Sequence, residues 1–147
     1  MWEMEFYEDE VEAYQAFEGF AGPFESIYYM GCGIDRTPSE AFEGDVLHVD
    51  HDPVSVQYLT SKGLEAVEAD VTEFRPEEDF DLVVISHLTS DDPLIRENLS
   101  REAYVICDRQ RRAHMLIEEG FNLEAAYSEG LEEIIEIQDA QKYLFSV

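Results

Sequence analysis

Apolar positions along this chain fall into short runs separated by acidic stretches and by glycine or proline. Ile27-Tyr28-Tyr29-Met30 is β-branched and aromatic and leads straight into Gly31-Cys32-Gly33, and Val46-Leu47-His48-Val49 ends on Asp50. Runs of this length and composition are too short for helices, so each is predicted to be a strand. The same reading predicts strands over 64–69, 80–85, 103–107, 122–127 and 142–147. The 80–85 run is continuously apolar, as a central parallel strand covered on both faces must be.

Helical spacing lies between these runs. Over 9–19, Val11, Tyr14 and Phe17 recur every three residues before Gly19, Gly22 and Pro23 end the run. Thr37-Pro38-Ser39-Glu40 predicts a short helix with Thr37 as cap, Pro38 at its first position and Glu40 completing a capping box, stopped by Gly44. A second helix is expected over 53–62, capped by Asp52, with Val54, Val56 and Leu59 inward and Gly63 at its end. Asp91-Asp92-Pro93 opens another to about Leu99, and 110–119 is a further helix with Ala113, Met115 and Leu116 inward. The 75–79 stretch is a loop, and 131–137 fits a helix or a strand. Strands alternating with helices predict an α/β fold, a Rossmann-like three-layer α/β/α sandwich on a mostly parallel sheet. Its 147 residues suit a single domain, with 1–24 as a helical, aromatic segment packed on the core.

Charge changes the picture. The chain carries 35 acids against 9 bases, a net charge of −26, and Lys62 and Lys142 are its two lysines. Regular apolar runs and 12% aromatics argue against disorder. A carboxylate-rich, lysine-poor surface instead suits the cytosol of a halophile, where molar salt screens self-repulsion. Such a field disfavours nucleic acid and anionic membranes. Cys32 and Cys107 are too few and too far apart for a disulfide framework. No leader and no apolar run of about 18 residues is visible, so a cytoplasmic protein is expected.

Candidate chemistry concentrates in residues 26–52, which read as strand, glycine turn, short helix, strand, acid. Gly31 and Gly33 let the backbone leave the strand sharply and keep side chains away from a ligand. Asp50, at the tip of the next strand, suits the two hydroxyl donors of a ribose. The alternatives are an ordinary strand–helix turn and a helix cap. A dinucleotide site would ask for glycine at position 36, where this chain has Arg36.

In these residues the chain resembles the class I S-adenosylmethionine-dependent methyltransferases, whose first motif is an acid, any residue, then three alternating glycines. Tyr29 stands at the acid's position, which helps place the methionine end of the cofactor, and Asp35 at the third glycine's. Further stretches match in family order over about 25–147: His48-Val49-Asp50-His51-Asp52-Pro53, then Glu68-Ala69-Asp70-Val71, then Phe80 through Ser86-His87. The resemblance implies S-adenosylmethionine as cofactor, with Gly31, Cys32, Gly33, Asp50, His51, Asp70, Val71 and Ser86 around it. Asp50 would take the ribose, and Asp70 with the Val71 amide the adenine. It also implies a C-terminal antiparallel strand, a leading helix over the cofactor pocket rather than merely on one face of the sheet, and a substrate-facing His87. His87 is the candidate catalytic base, though a histidine there also serves to hydrogen-bond a loop. No metal is implied.

Arg109, Arg111 and Arg112 stand at the start of a helix, where the dipole disfavours cations. Either they pair with neighbouring acids or they receive an anionic group of a substrate or partner. Three functions remain in play: a methyltransferase acting on a small molecule, a non-catalytic relative that keeps adenosyl binding beside a protein partner or second copy, and a nucleotide-binding domain of another class.

Overall fold

A computed structural model of the chain describes residues 8–85, 95–108, 110–127 and 142–147. The apolar runs form β1 (Ser26–Met30), β2 (Asp45–Asp50), β3 (Glu65–Glu68), β4 (Phe80–Ile85), β5 (Leu99–Cys107), β6 (Asn122–Tyr127) and β7 (Lys142–Ser146). Between them stand α1 (Glu8–Ala21), α2 (Thr37–Ala41), α3 (Pro53–Ser61) and α4 (Gln110–Glu118). The strands make one seven-stranded sheet in the order β3-β2-β1-β4-β5-β7-β6. β1 to β5 run parallel, and β7 lies antiparallel between β5 and β6. The three-layer α/β reading holds, antiparallel strand included.

Alternation along the central strands fills both layers. Tyr28 and Met30 of β1 join Val83 and Ile85 of β4 on one face, where α4 adds Ala113 and Leu116. Ile27 and Tyr29 join Leu82 and Val84 on the other, with Tyr14 and Phe17 of α1, Ala41 of α2 and Leu59 of α3. Tyr14 and Phe17 are almost fully buried, and an apolar side chain so removed from water contributes about 1.5–3 kcal/mol. Tyr14, Phe24, Phe42 and Tyr104 form a chain of ring contacts with centroids 5.3–5.7 Å apart. The aromatic N-terminal stripe therefore covers one face of the sheet.

Several local expectations change. Thr37 does not cap α2: it lies inside the helix, position 36 is the cap residue and makes no side-chain cap bond, and the Thr37 hydroxyl is committed to Asp35. The capping box is accordingly absent. Asp52 does cap α3, accepting from the Val54 amide at 3.0 Å. Val54 is 69% exposed while Ser55 is buried, so the inward face of α3 is rotated from the one expected. β5 starts at Leu99, four residues early, and the helix expected to run to about Leu99 is a 3₁₀ turn at Arg96–Asn98 where its residues are described. The strand or helix at 131–137 lies outside the described residues. Gly44 has a steric rather than a helix-stopping reason: a Cβ there would lie 2.2 Å from the Phe24 carbonyl oxygen.

Candidate functional site

Parallel order reverses at β1, which has β2 and β3 on one side and β4 on the other. In open sheets of this kind, helices leave opposite faces at that point and a crevice opens at the carboxyl ends of the strands. The glycine turn sits there. Gly31 and Gly33 take φ of +61° and +58°, in the left-handed region where a side chain is strained. The Gly31 amide donates to the Val49 carbonyl at 2.8 Å, tying the turn to the end of β2. A Cβ on Gly33 would meet nothing within 4 Å.

Asp50 closes this turn from the neighbouring strand. Its Oδ2 accepts from the Gly33 amide at 2.8 Å and its Oδ1 from the Asp52 amide at 2.9 Å. The residue is buried, at 7% exposure, and its carboxylate faces the bend. Each oxygen retains lone-pair capacity beyond these bonds. His51, beside it, is exposed, with Nδ1 3.6 Å from Asp50 Oδ1. The Ala69 amide donates to the Asp50 carbonyl at 2.9 Å and so brings the end of β3 alongside.

At that end, Asp70 is exposed and accepts from both the amide and the hydroxyl of Thr72. These two bonds, the hydroxyl's first, hold the Asp70 carboxyl below the usual aspartate range. Val71 is buried in the apolar core, so any ligand contact from it falls to its backbone. Cys32 is buried, and burial, then the charge of Asp50, pushes its thiol well above the ordinary range. It stays protonated and unreactive at neutral pH.

Gly31, Cys32, Gly33, Asp50, His51, Asp70 and Val71 thus lie along one edge of β1, β2 and β3. Ser86, His87 and Arg109 lie outside the described residues. The arginine cluster does not present one face: Arg111 is exposed and Arg112 is buried on α4. Among the described residues no group of three or more His, Cys, Asp and Glu side chains is placed to hold a metal, and no helix is long and apolar enough to cross a membrane. A cavity of about 560 Å³ opens at the opposite edge, among Ser39, Phe42, Asp45, Leu64 and Phe80 at the amino ends of the strands, away from the turn.

Sequence reading placed Asp35 at the third glycine's position of the first motif and missed what its side chain does. Its Oδ1 accepts from the Thr37 amide at 2.9 Å and from the Thr37 hydroxyl, and its Oδ2 accepts from the Tyr29 hydroxyl. Its own amide donates to the Cys32 carbonyl at 3.1 Å, folding it into the turn. The Asp-x-Thr spacing was the available signal, since an aspartate readily accepts from the amide two residues on. Tyr29 is fully buried. Burial, then Tyr14 and Asp35, raises its phenol well above 10, so it remains a donor.

No family model and no curated protein sequence matches the chain. Solved structures do. A TehB-like SAM-dependent methyltransferase from Corynebacterium glutamicum is 20% identical with a TM-score of 0.68, over 90% of this chain and 85% of that one. The N-methyltransferase NodS from Bradyrhizobium japonicum is 12% identical with a TM-score of 0.70, over 94% of each chain. The glycopeptide N-methyltransferase MtfA, solved with S-adenosyl-L-methionine, is 13% identical with a TM-score of 0.69, over 97% of this chain and 95% of that one. Strand order, the antiparallel β7 and these near full-length superpositions agree: the chain has the fold of the class I S-adenosylmethionine-dependent methyltransferases.

Proposed function

We propose that the chain binds S-adenosylmethionine over the turn after β1 and transfers its methyl group to a small molecule. One observation carries the reading. At the point of strand-order reversal, a buried carboxylate, Asp50, faces two left-handed glycines, and the space above Gly33 holds no protein atom within 4 Å of a Cβ position. The residues fit the cofactor. Asp50 keeps acceptor capacity on both oxygens for a ribose diol, Gly31 and Gly33 admit close approach, and the loop at Asp70 and Val71 lies beside Asp50 for an adenine edge.

Bound there, the cofactor supplies an electrophilic methyl group on sulfonium. The chain's own residues then have to hold and align it. Asp50 orients the sugar, the Gly31–Gly33 backbone fixes the depth of binding, and the acidic edge accommodates a cation. Methyl transfer is an in-line displacement, so alignment supplies much of its rate. Cys32 takes no part as nucleophile, its thiol being held protonated. Arg111, exposed at the start of α4 beyond the end of β5, is available to an anionic group of the acceptor. The charge balance supports a halophile's cytoplasm as the setting.

Calorimetry of the whole chain in about 2 M KCl against adenosylmethionine, adenosylhomocysteine, NAD and ATP tests this. Binding of the first two alone is expected, with Asp50→Ala weakening both by at least about tenfold, the equivalent of two lost hydroxyl bonds. Binding of NAD or ATP instead, or Asp50→Ala at wild-type affinity, refutes it.

A further inference from the structure

Two glycines in the left-handed region make the turn after β1 costly to hold, since glycine loses more backbone freedom on ordering than any other residue. The helix that follows restrains it little. α2 is five residues long, its cap residue makes no side-chain cap bond, and a helix so short does not sustain itself. The near side of the turn is fastened to β2: the Gly31 and Cys32 amides donate to the Val49 carbonyl and the Gly33 amide to Asp50. The far side is fastened by the Asp35 carboxylate. Its Oδ2 accepts from the Tyr29 hydroxyl of β1, and its Oδ1 from the amide and hydroxyl of Thr37 in α2. One side chain thus ties the strand that enters the turn to the helix that leaves it. Asp35 is 8% exposed and Tyr29 and Thr37 are fully buried, so these bonds are sheltered from water.

We propose that Tyr29, Asp35 and Thr37 are positioning residues for the cofactor: they hold the turn in its binding shape before a ligand arrives and so keep the Gly33 amide against Asp50. The inference rests on the cofactor reading above and goes beyond it by assigning a role to three side chains outside the ribose and adenine contacts. The physical reason is preorganisation. A turn ordered in advance spares the ligand the entropy of ordering it. Asp35 acts through its bonds inside the fold, so adenosylmethionine and its neutral demethylated product benefit alike.

The test measures dissociation constants for adenosylmethionine and adenosylhomocysteine in about 2 M KCl, for the wild type, Tyr29→Phe, Thr37→Val and Thr37→Ser. Thr37→Val keeps the side-chain shape and the amide bond and removes the hydroxyl. It is expected to weaken both ligands about threefold, within the range of one hydrogen bond, and the double variant with Tyr29→Phe about tenfold. Thr37→Ser restores the hydroxyl and is expected to bind within about twofold of the wild type. Gly44→Ala, at the amino ends of the strands, loses stability away from the turn and should keep wild-type affinity. Amide hydrogen exchange of the free protein reads the turn itself. In Thr37→Val the Gly33 amide should exchange faster than the global loss of stability, read at Val83 and Val84 of β4, accounts for. Should Tyr29→Phe fail to fold, the valine and serine variants at 37 decide alone. Wild-type affinity in Thr37→Val overturns the proposal, as does a Thr37→Ser as weak as Thr37→Val. Equal weakening by Gly44→Ala, or a loss confined to one of the two ligands, overturns it too. Failure of the wild type to bind either ligand is a different result: it removes the cofactor reading itself, while Gly33 exchange still reports whether the three side chains hold the turn.

Discussion

Removing the carboxylate of Glu10 should cost more stability than removing the ammonium it pairs with. Lys142 opens β7 and is 3% exposed, with Nζ 2.7 Å from Glu10 Oε1 and 4.7 Å from the Tyr14 ring centroid. Burial alone would lower its pKa, but Tyr14, Glu10 and Asp108 outweigh that and raise it, so the charge is kept. Glu10→Gln takes from a buried cation the carboxylate bonded to it and leaves the more distant charge of Asp108, where losing the partner of a fully buried pair costs about 3–5 kcal/mol. The Glu10 side chain is 20% exposed and the Tyr14 ring retains a cation–π contact of about 1 kcal/mol, which brings the expected cost to about 2–3 kcal/mol. Lys142→Met keeps the apolar stem and leaves a carboxylate that already reaches water, so about 1 kcal/mol or less is expected. The double variant should resemble Lys142→Met alone. Urea unfolding at fixed KCl reads all three, urea being uncharged, with an unchanged slope confirming the same transition. Equal costs for the two single changes, or a larger cost for Lys142→Met, would refute the reasoning.

His48 gives a pH prediction. It is fully buried, with Nε2 3.1 Å from Ser39 Oγ and Nδ1 2.9 Å from the Glu65 carbonyl, and burial lowers its pKa below 6.5 despite the opposing Glu65 bond. The unfolded chain takes up that proton first, so stability should fall as pH drops below 6.5. His48→Gln should flatten that part of the profile. Gly33→Ala, at φ +58°, should cost about 1–2 kcal/mol of backbone strain and also abolish the adenosylhomocysteine heat, because its methyl enters the space above the turn. Gly44→Ala places a methyl 2.2 Å from a backbone oxygen and should lower stability by at least about 2–3 kcal/mol in the same urea assay. Asp52→Ala removes the α3 cap and should cost about 1 kcal/mol without changing ligand affinity beyond what Asp50, bonded to the Asp52 amide, relays.

What the sequence disclosed depended on how local the cause was. β1, β2 and β4 were legible because both of their faces are buried, which makes the whole run apolar. The first half of β5, Leu99 to Glu102, is mostly polar and half-exposed, and nothing in its composition distinguishes it from a loop. Thr37 looked like a cap because a threonine before proline usually is one; here a carboxylate two residues earlier takes its hydroxyl. Asp50 was visible because its spacing from the glycines is fixed by one strand–helix–strand unit. The part played by Asp35 was not, because its tie to Tyr29 spans the turn and exists once the turn has closed. Neighbouring arginines looked like one patch, yet consecutive helical residues point about 100° apart, and Arg111 and Arg112 part accordingly.

The placing of β7 between β5 and β6 bears on how the chain is made. Among the described residues β6 pairs with the rest of the sheet through β7, and α1 is fastened by Lys142, 132 residues after Glu10. On a ribosome adding about 5–20 residues per second, the first helix therefore emerges on the order of ten seconds before its anchor. Throughout that interval Tyr14 and Phe17 are without the Leu144 side of their packing, and like-charge repulsion helps keep the nascent chain soluble. The dense carboxylate coat thus serves the protein before it has a fold to decorate.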